Sequence, residues 1–139
     1  MKQQKINHLA VWILVILIQT FPIIWYDNIF FGIRWAELNN LTAEDFENFG
    51  YKGFIVALIA GVALVYALAW LFIRLKVASG MEGVKIAFIL WLGLIFLEIT
   101  TQNMFTLRPF ELTLIDEGVV LMKYEFIGIV LGVWKKFEN

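Results

Sequence analysis

The chain has no cysteine and a single histidine among its 139 residues. Without thiols it can form no disulfide, no thiolate metal site and no cysteine nucleophile. One histidine, His8, cannot build a metal site alone, and neither a Ser-His-Asp set nor a His-x-x-x-His pair can be assembled around it. No glycine-rich phosphate loop is present. The expectation is therefore a protein without metal or cofactor, and not an enzyme. Charge is scarce too, at 17% of residues and a net −1, so the basic face that nucleic acid calls for is missing. What fills the chain instead is apolar side chains, 61% of the total. Soluble domains run at roughly 45–50% apolar and about 25% charged. A single domain of this size cannot bury such an excess, so the lipid bilayer is the expected solvent.

Four stretches have the length of about 20 residues needed to cross a hydrocarbon core of roughly 30 Å. They run from about Ile6 to Tyr26, Gly53 to Ile73, Val84 to Phe105 and Leu112 to Trp134. Met1-Lys2-Gln3-Gln4-Lys5 followed by an apolar run resembles a signal peptide. No small-residue cleavage site follows, however, and Pro22, Trp25 and Tyr26 close the run, so it reads as a retained first span kinked in its last turn. The fourth stretch is interrupted by Asp116, Glu117, Lys123 and Glu125. The expected fold is thus an all-α, integral membrane four-transmembrane-helix bundle, a single domain over 1–139.

Loop cations orient it. With four spans, one side holds the seven residues Lys2, Lys5, Arg74, Lys76, Lys85, Lys135 and Lys136, and the other holds the three residues Arg34, Lys52 and Arg108. The bias places both termini in the cytoplasm of a multi-pass protein of the cell (inner) membrane. Trp25, Tyr26, Trp35, Tyr51, Trp70 and Trp134 fall near span ends, as an aromatic belt does. The outer loop, 27–52, has structure of its own. Ile29, Phe30, Phe31, Ile33 and Trp35 form an apolar patch suited to the interface. Thr42, with Glu44 and Asp45 behind it, reads as a helix start that can run into the second span, weakened by Gly50 and Gly53. Ser79-Gly80-Met81-Glu82-Gly83 reads as a flexible inner turn.

Two segments carry a resemblance. One is Trp25-Tyr26, Phe30-Phe31-Gly32, Trp35 and Leu41-Thr42-Ala43-Glu44-Asp45. The other is Trp91-Leu92-Gly93, Thr100-Thr101, Asn103, Phe105, Arg108-Pro109, Leu114-Ile115-Asp116, Gly118 and Trp134. In type and spacing they resemble the family of small bacterial and fungal membrane proteins known as domain of unknown function 1761. The likeness covers nearly the whole chain. It departs after Gly118, where Val119-Val120 stands in place of a Tyr-His pair, and at Lys123 and Glu125, which add charge. The resemblance implies a four-span fold and brings no activity, substrate or cofactor.

Intramembrane polarity supplies the candidate site. A charge at the centre of a span costs roughly 2.5–3.5 kcal/mol on insertion scales, so such residues face the bundle interior and pair. Glu98, Thr101 and Gln102 share one helical face, and Asp116 and Lys123 share another. Lys123 can lean outward along the fourth span and Arg108 can reach inward, which predicts a cluster of Glu98, Gln102, Asn103, Arg108, Asp116 and Lys123 open to the outside, closed by Gln19 and Thr20. Within it Glu98 and Asp116 could share a proton. The same residues would also serve an ion-pair network that only fixes helix register, and that is the stronger reading of the two. Glu117 and Glu125 point elsewhere on the wheel, toward a partner or the interface, and His8 reads as an interfacial anchor. Ala57-x-x-x-Gly61 and Gly128-x-x-x-Gly132 permit close helix packing, in the bundle or in a homo-oligomer. Two functions follow as expectations: binding or transport of an ion or small polar solute through the cluster, or an accessory or scaffold role in a larger membrane complex.

Overall fold

The computed structural model describes residues 3–137. It is helical almost throughout, as expected. The first apolar run forms α1 (His8–Ile18) and α2 (Thr20–Trp25), which break at Gln19. The break is one turn earlier than expected, because the Pro22 ring clashes with the carbonyl four residues before it, that of Ile18. Two short helices, α3 (Gly32–Leu38) and α4 (Ala43–Asn48), make up the long loop. Thr42 caps α4: its hydroxyl accepts from the Asp45 N–H at 3.4 Å, and Asp45 accepts from the Thr42 N–H at 2.7 Å. The chain does not run on from there as one helix, since Gly50 turns it at φ +61°.

The second run is α5 (Lys52–Leu75). It ends where Lys76 adopts a left-handed conformation, with the Val77 N–H bonded to the Phe72 carbonyl at 3.0 Å and both side chains buried. The third run begins earlier than the sequence suggests. Ser79 caps α6 (Gly80–Leu90), and its hydroxyl accepts from the Glu82 N–H at 3.2 Å, while Glu82 accepts from the Ala78 N–H at 2.6 Å. The expected flexible link is therefore a helix's first turn. Trp91–Phe96 then widens into a π-helical segment before α7 (Leu97–Phe105). The last helix is α8 (Phe110–Val133).

Three helical stretches are long and apolar enough to cross a membrane: His8–Trp25, Lys52–Leu75 and Gly80–Phe105. With 24 residues α8 matches α5 in length, about 36 Å at 1.5 Å per residue, but its charges set it apart in composition. Two short strands, β1 (Gln4–Lys5) and β2 (Lys136–Phe137), pair antiparallel and join the first described segment to the last. This termini end is a hydrophobic core of Val11, Leu14, Val15 and Ile18 from α1, Val65, Leu68 and Phe72 from α5, and Ile127 and Leu131 from α8.

The closest helix contact is α6 on α8, where glycine meets glycine. A Cβ on Gly128 would sit 2.7 Å from the Gly83 carbonyl oxygen, and one on Gly132 would sit 2.8 Å from the Gly80 Cα. Backbones approach this closely only where side chains are absent. Gly61 lies against Gln19 of the first run, whose amide a Cβ would meet at 2.6 Å. Ala57 is exposed with the rest of the loop-end half of α5, so the expected Ala57/Gly61 packing face is reduced to Gly61.

Candidate functional site

The loop end of the molecule lies outside the main hydrophobic cluster and is organised around the first turns of α8, where Leu112, Ile115 and Val119 are buried. Tyr26 closes α2, and the chain reverses there: the Asp27 carbonyl accepts from the Phe30 and Gly32 N–H groups, and Phe31 N–H donates to the Trp25 carbonyl. A Cβ on Gly32 would collide with the Tyr26 carbonyl, so glycine is what lets α3 fold back over the end of α2. That reversal places three aromatic donors on α8. The Tyr26 hydroxyl and the Trp35 indole N–H each donate to Asp116 Oδ1 at 2.8 Å. The Trp25 indole N–H donates to the Ile115 carbonyl at 2.9 Å. From the other side, Trp91 at the start of the π segment donates to the Glu117 carbonyl at 3.1 Å.

Room for this clasp comes from Gly118. A Cβ there would stand 2.8 Å from the Trp25 ring. The rings also support each other, Trp25 on Phe31 at 4.7 Å and Tyr26 on Trp35 at 5.1 Å between centroids. An open groove of about 150 Å³ beside them, lined by Phe21, Ile24, Trp25, Phe30 and Met122, is wholly apolar.

Above the clasp, Arg34 forks onto Glu111 at 2.7 and 2.6 Å and also reaches Glu37 at 3.1 Å. Hydrogen bonding from Arg34, reinforced by its charge, holds the Glu111 carboxyl below the usual carboxylate range. Reciprocally the Arg34 guanidinium is held even more firmly in its charged form. These contacts tie the 27–52 loop to the first turn of α8.

The predicted cluster of six does not assemble. Asp116 is satisfied by aromatic donors rather than by a cation. Arg108 donates to Asn39 Oδ1 of the loop at 3.2 Å. Asn103 is buried and donates to Thr113 Oγ1 at 2.9 Å, tying the third run to α8. Lys123 is half-buried on α8, and among the described residues the ion pairs are those of Arg34 alone. Glu98 and Gln102 are exposed on the outside of the bundle, 3.5 Å from each other. Gln19 turns to Gly61, and Thr20 is exposed and bonds back to the Leu17 carbonyl. His8 meets the Tyr66 hydroxyl at 3.0 Å.

The cause is the π segment. Gly83, Ala87 and Trp91 are the buried face of the third run. In an unbroken α-helix, positions seven and eleven beyond Trp91 return to within about 20° of it, and those are Glu98 and Gln102. A π turn shifts the following register by one residue. The inward positions become Ile99 and Asn103, and Glu98, Thr101 and Gln102 swing outward. Glu117, expected to point away, is instead buried at 6% exposure. Its Oε2 and both carboxylate oxygens of Glu125 are enclosed without a hydrogen-bond partner among the described residues.

Trp25, Tyr26 and Trp35, which by sequence fit an aromatic belt, are instead hydrogen-bond donors to α8. A signal was present: each carries an N–H or O–H that must find an acceptor when buried, and Asp116 is an acceptor inside an apolar run. Fold and site together define a small helical protein with membrane-length helices, locked at one end by aromatic donors on an acidic helix. The chain belongs to the family described as protein of unknown function (DUF1761), whose profile matches residues 9–132. The clasp joins the two segments that carry the resemblance, Trp25-Tyr26 and Trp35 on one side and Ile115-Asp116 and Gly118 on the other. No curated protein and no solved structure matches the chain.

Proposed function

We propose that this is a four-span protein of the cytoplasmic membrane with both termini inside, and that it acts as a non-enzymatic accessory subunit of a larger membrane assembly. Three features support the topology. The β1–β2 pair sets both chain ends at one end of the bundle, as an even number of crossings requires. The cation-rich segments, with Lys5, Arg74, Lys76, Lys135 and Lys136, belong to that end, and Lys2 lies outside the described residues. Finally, α8 turns its charge inward: Asp116 is clasped, Glu117 is buried, and the Glu125 oxygens are enclosed. Its outward positions, Leu114, Met122, Ile129 and Val133, are apolar and 47–65% exposed.

The observation that carries the assembly role is the outward polar face of Glu98 and Gln102 on a helix of membrane length. Polar side chains at such depth ordinarily face protein or a water-filled cavity, and the bundle provides neither. Extraction from native membranes in a lipid-retaining polymer, followed by mass measurement, tests this. Co-isolation of another membrane protein at fixed stoichiometry is expected, and a lone monomer would count against the proposal. A second reading, binding of an ion or small polar solute, draws on the unpartnered oxygens of Glu117 and Glu125. Titration of the purified protein with monovalent and divalent cations, with Glu117→Gln and Glu125→Gln as controls, decides whether it holds.

A further inference from the structure

The outward face of the third run has a definite pattern. In α7, Glu98, Thr101 and Phe105 follow one another at steps of three and four, opposite the buried Asn103, and Leu94 of the preceding π segment is exposed as well. Leu94 is 67% and Phe105 86% exposed, and Glu98 and Thr101 are exposed between them. Steps of three and four make a stripe along which one helix packs lengthwise on another. Glu98 lies at its middle, about 10 Å along the helix from Phe105.

Polar groups on the stripe are unevenly engaged. The Thr101 hydroxyl is spent on the Leu97 carbonyl at 2.8 Å. The Gln102 amide reaches Glu98 Oε1 only at 3.5 Å. The Glu98 carboxylate is left as a strong acceptor with no cation of its own chain beside it among the described residues. The membrane-length helices as a group are acid-rich. Six residues or more from either end of these helices and of α8, Glu98, Asp116, Glu117 and Glu125 face a single cation, Lys123. Asp116 is clasped, and the unpartnered oxygens of Glu117 and Glu125 are enclosed, so Glu98 is the acid presented to a neighbour.

We infer that this stripe docks a transmembrane helix of another protein that carries a lysine or arginine at the depth of Glu98. Charge complementarity selects that occupant. A second copy of the chain related by a twofold axis along the membrane normal would set Glu98 against Glu98, two like charges in a low-dielectric seam. A helix without polar groups would leave the carboxylate unsatisfied. A guanidinium or ammonium opposite Glu98 neutralises it, and the Gln102 side-chain amide, one turn away and 3.5 Å from Glu98, can complete the contact. This rests on the accessory-subunit reading and names the chemistry of the partner.

The test uses the full chain reconstituted in phosphatidylcholine vesicles with labelled polyleucine transmembrane peptides. The peptides carry one lysine or arginine at the matching depth, one at the opposite leaflet, one glutamate, or none. Energy transfer should favour the matched cationic peptides over plain polyleucine by about threefold or more, the size of an average intramembrane polar contact. Glu98→Gln should abolish the preference and Glu98→Asp should keep it. Equal transfer for all peptides, a preference that survives Glu98→Gln, or self-association that excludes the peptides would overturn the inference. A native partner without cationic preference would remove this inference alone. Cationic preference by a chain that is monomeric in its own membrane would remove the assembly role alone.

Discussion

Removing the aromatic donors from Asp116 should unlock the loop end of the bundle. Trp35→Phe keeps a ring against Tyr26 but deletes one of the two donors to Asp116 Oδ1, and Tyr26→Phe deletes the other. Side-chain hydrogen bonds inside membrane bundles average about 0.6 kcal/mol and reach about 1.7. Bonds to a charged acceptor in general are worth roughly 1.5–3 kcal/mol. Each single substitution should therefore cost about 0.6–2 kcal/mol. The double variant should cost more than the sum, because it leaves a carboxylate at an apolar helix surface with no donor, a loss of a few kcal/mol. Equilibrium unfolding in mixed micelles, followed by helical circular dichroism, gives these values directly. In a background of Asp116→Leu both substitutions should become nearly neutral, since no acceptor remains. A Tyr26→Phe/Trp35→Phe variant within about 0.3 kcal/mol of the parent would refute the clasp as a stabilising element.

Other outcomes follow from the same geometry. Gly128→Ala forces a Cβ to within 2.7 Å of the Gly83 carbonyl and should destabilise by about 1–3 kcal/mol, whereas Gly53→Ala meets nothing within 4 Å and should be neutral or gain up to ~1 kcal/mol. Unfolding of the two variants side by side checks this. The Arg34–Glu111 tie should weaken in acid. Glu111 has its folded pKa depressed, so its contribution is present above the unfolded value of about 4.3 and is lost as pH falls below that through the folded value. Limited proteolysis of the 27–52 loop should therefore accelerate on acidification. Glu111→Gln should be cut quickly at every pH, and added salt should narrow the difference because both side chains are about half exposed.

Most of the fold was legible in the residues. Apolar run lengths located the helices, Thr42 with Glu44 and Asp45 behind it marked a helix start, and Gly128 and Gly132 signalled close packing, for which the structure supplies the partners Gly83 and Gly80. Helical periodicity also grouped Glu98, Thr101 and Gln102 correctly on one face. It could not say which way that face points, because direction depends on what lies upstream. Six residues of π helix between Trp91 and Phe96 turned the face by one position, and nothing in Trp-Leu-Gly-Leu-Ile-Phe announces such a turn. The helix start at Gly80 was hidden because glycines at 80 and 83 read as breakers, while their role is to let α8 approach. The clasp was missed because tryptophan and tyrosine near span ends fit an interfacial belt equally well. Only the reversal at Gly32 reveals that Trp35 reaches Asp116.

The orientation of the third helix beyond its π turn underlies the whole functional argument, and adjacent residues test it. The chain has no native cysteine, so single cysteines can be placed at Gln102 and Asn103 and spin-labelled in lipid nanodiscs. A mobile label is expected at 102, open to membrane-dissolved oxygen, and an immobilised, protected label at 103, against Thr113. The reverse pattern, with 102 protected and 103 open, would return Glu98 and Gln102 to the bundle interior and contradict the account.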